Sequence, residues 1–172
     1  MMLADLGLLI IRVVVGALFI GHGLQKLAGW FGGHGLPGTG QWMASLGLRP
    51  GRAWAALAGT LETLGGLCLG LGLLSPLGAL FISGVMVMAI VRIHWPRGIW
   101  VTNGGYEYPL MNLTVAVAVA LIGPGRYALD PYLGVALPVV PVQAVGLLLA
   151  LAVTTLAGRA VPAERAEVRH AA

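Results

Sequence analysis

The run Ile11-Arg12-Val13-Val14-Val15-Gly16-Ala17-Leu18-Phe19-Ile20-Gly21-His22-Gly23-Leu24-Gln25-Lys26 decides how this chain folds. It is apolar enough to cross a bilayer, yet it carries Arg, His, Gln and Lys. An ionisable side chain inside a membrane span is costly, so it faces protein or a wet cavity and usually has a partner. Positions 12, 15, 19, 22 and 26 follow a 3-4-3-4 spacing, which puts Arg12, Val15, Phe19, His22 and Lys26 on one helical stripe. That stripe is expected to face a helix bundle.

The rest of the chain has the same character. Its 172 residues are 58% hydrophobic and 9% charged, with a mean hydropathy of +0.90; soluble domains carry roughly a quarter charged residues. Apolar runs recur between Gly, Pro and charged breaks, each near the roughly 20 residues that cross about 30 Å of hydrocarbon. Barrel strands would alternate polar and apolar residues, and these runs do not. The fold class is therefore all-α, a polytopic membrane helix bundle. The lipid bilayer is its first partner. The formal charge of +4 does not imply nucleic acid, because Lys and Arg sit singly between spans, where topology explains them. Cys68 is the single cysteine, so there is no internal disulfide and no CxxC pair, which argues against a thiol-exchange oxidoreductase. The first span lacks a basic leader and is read as uncleaved.

Five spans are expected: about Leu3 to Ala28, Ala53 to Leu74, Leu77 to Ile93, Pro109 to Ile122, and Val139 to Ala157. The fourth is short for a full crossing. A glycine-rich loop with Trp30, His34 and Trp42 follows the first span and includes a short interfacial helix around Gln41 to Leu46. Residues 95–109 form the most polar and aromatic loop, a lid at the membrane surface. A charged tail from 159 to 172 is expected to be disordered and cytoplasmic. With five spans, Lys26, Arg49, Arg52, Arg92, Arg97, Arg159, Arg165 and Arg169 fall on one face and Arg126 on the other. The positive-inside rule then makes the first face cytoplasmic and the N-terminus external, in a prokaryotic plasma membrane.

Glu62 is the one acidic residue in the interior of a span. Counting 1.5 Å per residue from the expected helix ends puts Arg12 and Glu62 at similar depth, so the two are expected to pair. Lys26, Arg92, His94, Glu107 and Asn112 gather at the cytoplasmic ends of three helices. The expected site is a pocket open to that face, floored by Arg12 and Glu62 and walled by His22, His94 and Asn112. His22, His94 and Glu62 are the candidates for proton chemistry; Arg12, Lys26, Arg92, Asn112 and Glu107 are the candidates for holding a ligand. Bland readings stand beside these: an internal Arg12 staple, snorkelling Lys26 and Arg92, an interfacial His94, and Met86 and Met88 as core fillers. Gly65, Gly66, Gly70 and Gly72 read as sites of close helix contact. No zinc, iron–sulfur, flavin or nucleotide-binding motif is present, and two membrane histidines are a weak haem signal.

Arg12 with the Gly16 to Leu27 run, then Glu62-Thr63-Leu64-Gly65-Gly66-Leu67, the helix ending at His94, and Gly123-Pro124-Gly125-Arg126-Tyr127-Ala128-Leu129-Asp130 together resemble the DoxX family of bacterial and archaeal membrane proteins, over about residues 5 to 133. The resemblance implies a four-helix membrane domain over residues 1–130, so that 131–158 is an added span. It also implies that Arg12, His22, Lys26, Glu62, His94 and Arg126 match family motif positions. Some relatives are subunits of a thiosulfate:quinone oxidoreductase, which makes quinone the cofactor expected here and a soluble or membrane redox protein, or a second copy of the chain, the expected partner. Two other functions stay open: a non-catalytic scaffold that anchors a redox enzyme, and a small transporter or proton path through Arg12 and Glu62.

Overall fold

In the computed structural model residues 2–157 are described, and among them the chain is helical with no strand. The charged tail, with Arg159, Arg165 and Arg169, lies outside the described residues. Seven α-helices follow in order: α1 (Met2–Leu27), α2 (Gly35–Ser45), α3 (Gly51–Leu71), α4 (Ser75–Ala89), α5 (Glu107–Ile122), α6 (Leu129–Leu133) and α7 (Val139–Ala157). Four stretches are long and apolar enough to cross a membrane: Met2–Leu27, Gly51–Leu71, Ser75–Arg97 and Val139–Ala157. The chain is a multi-pass membrane protein. At 16 residues α5 is the shortest of the five apolar stretches when α4 is counted on through Arg97, about 24 Å long, as its sequence led one to expect. Helix α2 is longer than the short helix expected there, beginning at Gly35 rather than near Gln41.

Glycine sets the spacing of the bundle. Gly16 of α1 lies against Gly66 and Gly70 of α3, and Gly23 against Gly59 and Thr63. A Cβ added at Gly16 would stand 2.6 Å from the Gly66 carbonyl oxygen, so no larger residue fits without moving a helix. Close backbone approach through small residues is how membrane helices associate when water supplies no hydrophobic drive. On its other side α3 meets α4 through Gly65 and Gly78. Helix α4 is the centre of the molecule, packing against α3, α5 and α7. Its core residues Ala79, Ile82 and Val85 meet Phe19, Leu69 and Ala116.

The α1–α3 register corrects the expected pairing of Arg12 with Glu62. Arg12 lies beside Gly72, whereas Glu62 lies one turn from the Gly23 contact. Along α1 the two levels are about ten residues apart, roughly 15 Å. Depth counting failed because the two helices do not begin at the same level. The first turns of α1 extend past the end of α3 and are met instead by the segment after α5, where Asp5 Oδ1 accepts from the Arg126 backbone N–H at 3.1 Å.

That segment closes the N-terminal side of the bundle. Asp130, at the first turn of α6, accepts from the backbone N–H groups of Leu74 and Ser75 at 2.7 and 2.9 Å. It thereby caps α4, whose own N-cap residue, Leu74, offers no side-chain acceptor. Pro76 occupies the first turn of α4, where its missing N–H costs nothing. Helix α7 is fastened to the same corner by Gln143 Nε2, which donates to the Pro76 carbonyl at 2.7 Å in a buried setting.

At its other end α4 changes pitch. Residues Ile90–His94 form a single π turn, in which the Trp95 N–H reaches back to the Ile90 carbonyl. The lid follows as two short 3₁₀ turns, Trp95–Arg97 and Val101–Asn103. Trp95 stacks on Tyr106 with ring centroids 5.4 Å apart. The Tyr106 and Glu107 N–H groups donate to the Gly98 and Ile99 carbonyls at 3.1 and 2.7 Å. The lid is thus an ordered hairpin-like cover leading straight into α5.

Candidate functional site

Between α1, α3, α4 and α5, on the side of the lid, lies a cavity of about 190 Å³. Its walls are apolar, with Phe19, Met43, Ala58, Val85 and Met86 among them. Into this lining project His22 and Lys26 from α1, Glu62 from α3, His94 from the π turn and Tyr108 from α5. Trp42 and Tyr108, 43% and 49% exposed, stand at the mouth. Few polar groups converging on an apolar pocket between helices is the usual form of a small-molecule site.

Glu62 is 3% exposed, and its counter-charge is Lys26. The Nζ to Oε2 distance is 2.6 Å. Lys26 also lies 3.4 Å from the carbonyl oxygen of His22, one turn back on its own helix. The pair forms because the stripe spacing brings Lys26 round to the face of α1 that meets α3. A buried carboxylate without this partner would be left as an uncompensated charge in an apolar wall.

The hydrogen bonds of the two histidines fix their tautomers. Carbonyl oxygens only accept, so the Phe31 carbonyl must receive the amide N–H of Gln25, at 3.2 Å. That turns Gln25 Oε1 to His22, and His22 Nδ1 donates to it at 3.1 Å. The free nitrogen of His22 is then Nε2, an acceptor in the neutral ring, and the Tyr108 hydroxyl lies 3.5 Å from it. His94 obeys the same logic: its Nδ1 donates to the Gly104 carbonyl of the lid at 2.6 Å, leaving Nε2 free among the described residues. As neutral rings, both imidazoles therefore offer acceptor nitrogens on the wall of one cavity.

Of the eight residues expected at the site, the structure gathers His22, His94, Glu62 and Lys26. The other four serve elsewhere. Arg12 is fully buried at the far end of α1, where Nη2 donates to the Tyr127 carbonyl at 2.6 Å. The acidic residue at this level is Asp130, not Glu62: its N–H donates at 2.8 Å to the carbonyl of Gly72, the residue that lies against Arg12. The floor expected from Arg12 is instead the apolar side chains of Phe19, Val85 and Met86. Arg92 Nη2 donates to the carbonyl of Leu46 at 3.0 Å and so closes the C-terminus of α2. Glu107 Oε2 accepts from the Val101 N–H at 2.9 Å and braces the lid. Asn112 Nδ2 donates back to the Tyr108 carbonyl at 3.0 Å, and with Glu107 it lines a separate groove on the outside of α5.

Sequence reasoning missed Tyr108 and Trp42 as site residues; Met86 and Met88, read as core fillers, do pack in the core and also line the cavity. Tyr108 had a signal: it precedes Pro109 at the start of a span, on the same face as His22. Asp130 was also missed as the cap of α4 and the acidic residue at the level of Arg12, because its partners are 55 and more residues away in the chain.

The family model described as DoxX matches residues 7–95, just over half of the chain. The chain belongs to the DoxX family. Neither a curated protein nor a solved structure matches it. The DoxX match runs from the early turns of α1 to Trp95 and so contains His22, Lys26, Glu62 and His94. It ends before the glycine-rich motif and Asp130 that contributed to the resemblance, and before Tyr108. The part of this DoxX member that the family model covers thus supplies the ion pair and both histidines, while the tyrosine comes from the segment beyond.

Proposed function

We propose that this DoxX family member is the membrane subunit of a quinone-linked redox system and that the cavity beneath the lid receives the ring of a quinone or a related small redox substrate. The observation that carries the reading is the pairing of an apolar, ring-sized cavity with two histidines, a tyrosine and a Lys26–Glu62 pair on its wall. The residues present fit such a group. Apolar walls suit the ring, and polar side chains stand on the same wall to meet its oxygens. When bound, the quinone supplies the two-electron, two-proton chemistry that no residue of this chain offers. His22 and His94 hold and exchange protons at Nε2, and the Lys26–Glu62 pair keeps a titratable carboxylate close to them. Electrons come from a partner protein.

The basic residues Lys26, Arg49, Arg52, Arg92 and Arg97 all lie on the side of the lid, with Arg126 opposite. This favours a plasma-membrane orientation with the cavity opening toward the cytoplasm and the N-terminus outside.

Photolabelling of protein in native membrane lipid with an azido-naphthoquinone tests the site. Saturable labelling of peptides containing His22 or Met86, competed by unlabelled menaquinone or ubiquinone, is expected. Labelling that is not competed, or is spread evenly over lipid-facing positions, overturns the reading. If His22→Ala and Glu62→Ala leave quinone-linked turnover of the native complex intact, the chain acts as a scaffold for its partner instead.

A further inference from the structure

We propose that the cavity binds the reduced, dihydroxy form of its aromatic ligand in preference to the quinone. The inference rests on the reading of the cavity as a quinone site and concerns which form of the ring that site selects. A quinone carbonyl can only accept hydrogen bonds, whereas a quinol hydroxyl can donate. The wall of the cavity is built to accept. The Phe31 carbonyl, acting through Gln25, and the Gly104 carbonyl each take the Nδ1 proton of an imidazole, so His22 and His94 both present an acceptor nitrogen. The ammonium and hydroxyl donors on the wall are engaged, whereas the indole N–H of Trp42 stands at the mouth without a partner among the described residues. Lys26 donates to Glu62 and approaches the His22 carbonyl, and the Tyr108 hydroxyl is directed at His22 Nε2.

Tyr108 shows what the free nitrogen takes. Its phenol hydroxyl lies 3.5 Å from His22 Nε2, with the two rings edge to face at a centroid distance of 6.5 Å. A phenol on an imidazole nitrogen is the same chemical pairing as a quinol hydroxyl on it. Tyr108 is half exposed at the mouth and its bond is long, so a ligand hydroxyl can replace it at little cost. His94 Nε2 accepts the second hydroxyl. A quinone in the same place sets carbonyl oxygens against two acceptor nitrogens, leaving four lone-pair groups without protons, which is unfavourable in a low-dielectric pocket.

The test is equilibrium binding to the full chain in lipid nanodiscs, under argon, of three probes sharing one ring: 2,3-dimethyl-1,4-naphthohydroquinone, the corresponding quinone, and the 1,4-dimethyl ether of the hydroquinone. The hydroquinone is expected to bind about tenfold tighter than either of the others, the size of one net hydrogen bond. His22→Phe and His94→Phe are each expected to reduce that preference to about threefold or less, while Asn112→Ala, at a residue outside the cavity, keeps it. A quinone that binds as tightly as the hydroquinone, or an ether that does, overturns the inference and leaves the site reading standing. No saturable binding of any of the three overturns both.

Discussion

At the scale of single residues, the Lys26–Glu62 pair is the most exposed to test. Glu62 is almost wholly buried while the Lys26 side chain keeps 22% of its surface exposed. Lys26→Met strands a carboxylate in an apolar wall, and with Lys26 partly wet the cost belongs at the low end for a broken buried pair, about 3 kcal/mol. Thermal unfolding in detergent should show the loss, and Lys26→Met with Glu62→Leu together should recover most of it. A double variant no more stable than the single one would mean that packing, not charge, holds this corner. Arg12 makes the complementary case. Asp130→Ala should cost about 1–2 kcal/mol through the lost cap of α4, yet leave ligand binding unchanged, since Asp130 lies at the other end of the bundle from the cavity. The partner of Arg12 was not legible because it depends on a segment more than a hundred residues downstream. His22, Lys26 and Glu62 were legible because an ionisable group in an apolar run is conspicuous wherever it falls.

At the scale of elements, the helices themselves were largely readable, since hydropathy and Gly or Pro breaks are local properties. What the sequence left open was their register. The glycines of α3 announced close contact, but only the structure shows Gly66 and Gly70 facing α1 while Gly65 faces α4. Register follows from how small residues interdigitate, and counting from helix ends cannot supply it. Two substitutions in one helix separate the roles. Gly16→Ala should destabilise the protein by about 1–3 kcal/mol, as overpacking does, because its Cβ would meet the backbone of α3. Gly21→Ala, with nothing within 4 Å, should change stability by no more than about 0.5 kcal/mol. Melting temperatures of the pair decide whether the seam or the helix propensity of glycine governs α1. Asn112 illustrates the opposite error. It lies one turn beyond Tyr108, but its amide folds back on its own helix, a choice that side-chain spacing does not reveal.

At the scale of the whole molecule, the site belongs to the first five helices and the lid, and α7 lends the cavity no residue. Truncation after Gly134 should therefore leave quinone or quinol affinity within about threefold, while thermal stability falls because the buried Gln143 bond and the α4–α7 contact are lost. Orientation is open to a separate measurement. In a Cys68→Ala background, a cysteine at position 31 should react with a membrane-impermeant maleimide in inverted vesicles and not in right-side-out ones, and a cysteine at 126 should do the reverse. The exchanged pattern would place the cavity mouth outside the cell. One feature of the lid end reaches beyond this protein. The π turn at Ile90–His94 adds a residue to one turn of an otherwise regular helix, and each residue turns a helix by about 100°. A single-residue deletion there would swing His94 away from the cavity while leaving Ser75–Ala89 packed as before. Chains descended from a common ancestor could thus gain or lose an imidazole at this wall in one mutational step, so that relatives with the same bundle need not share the same chemistry.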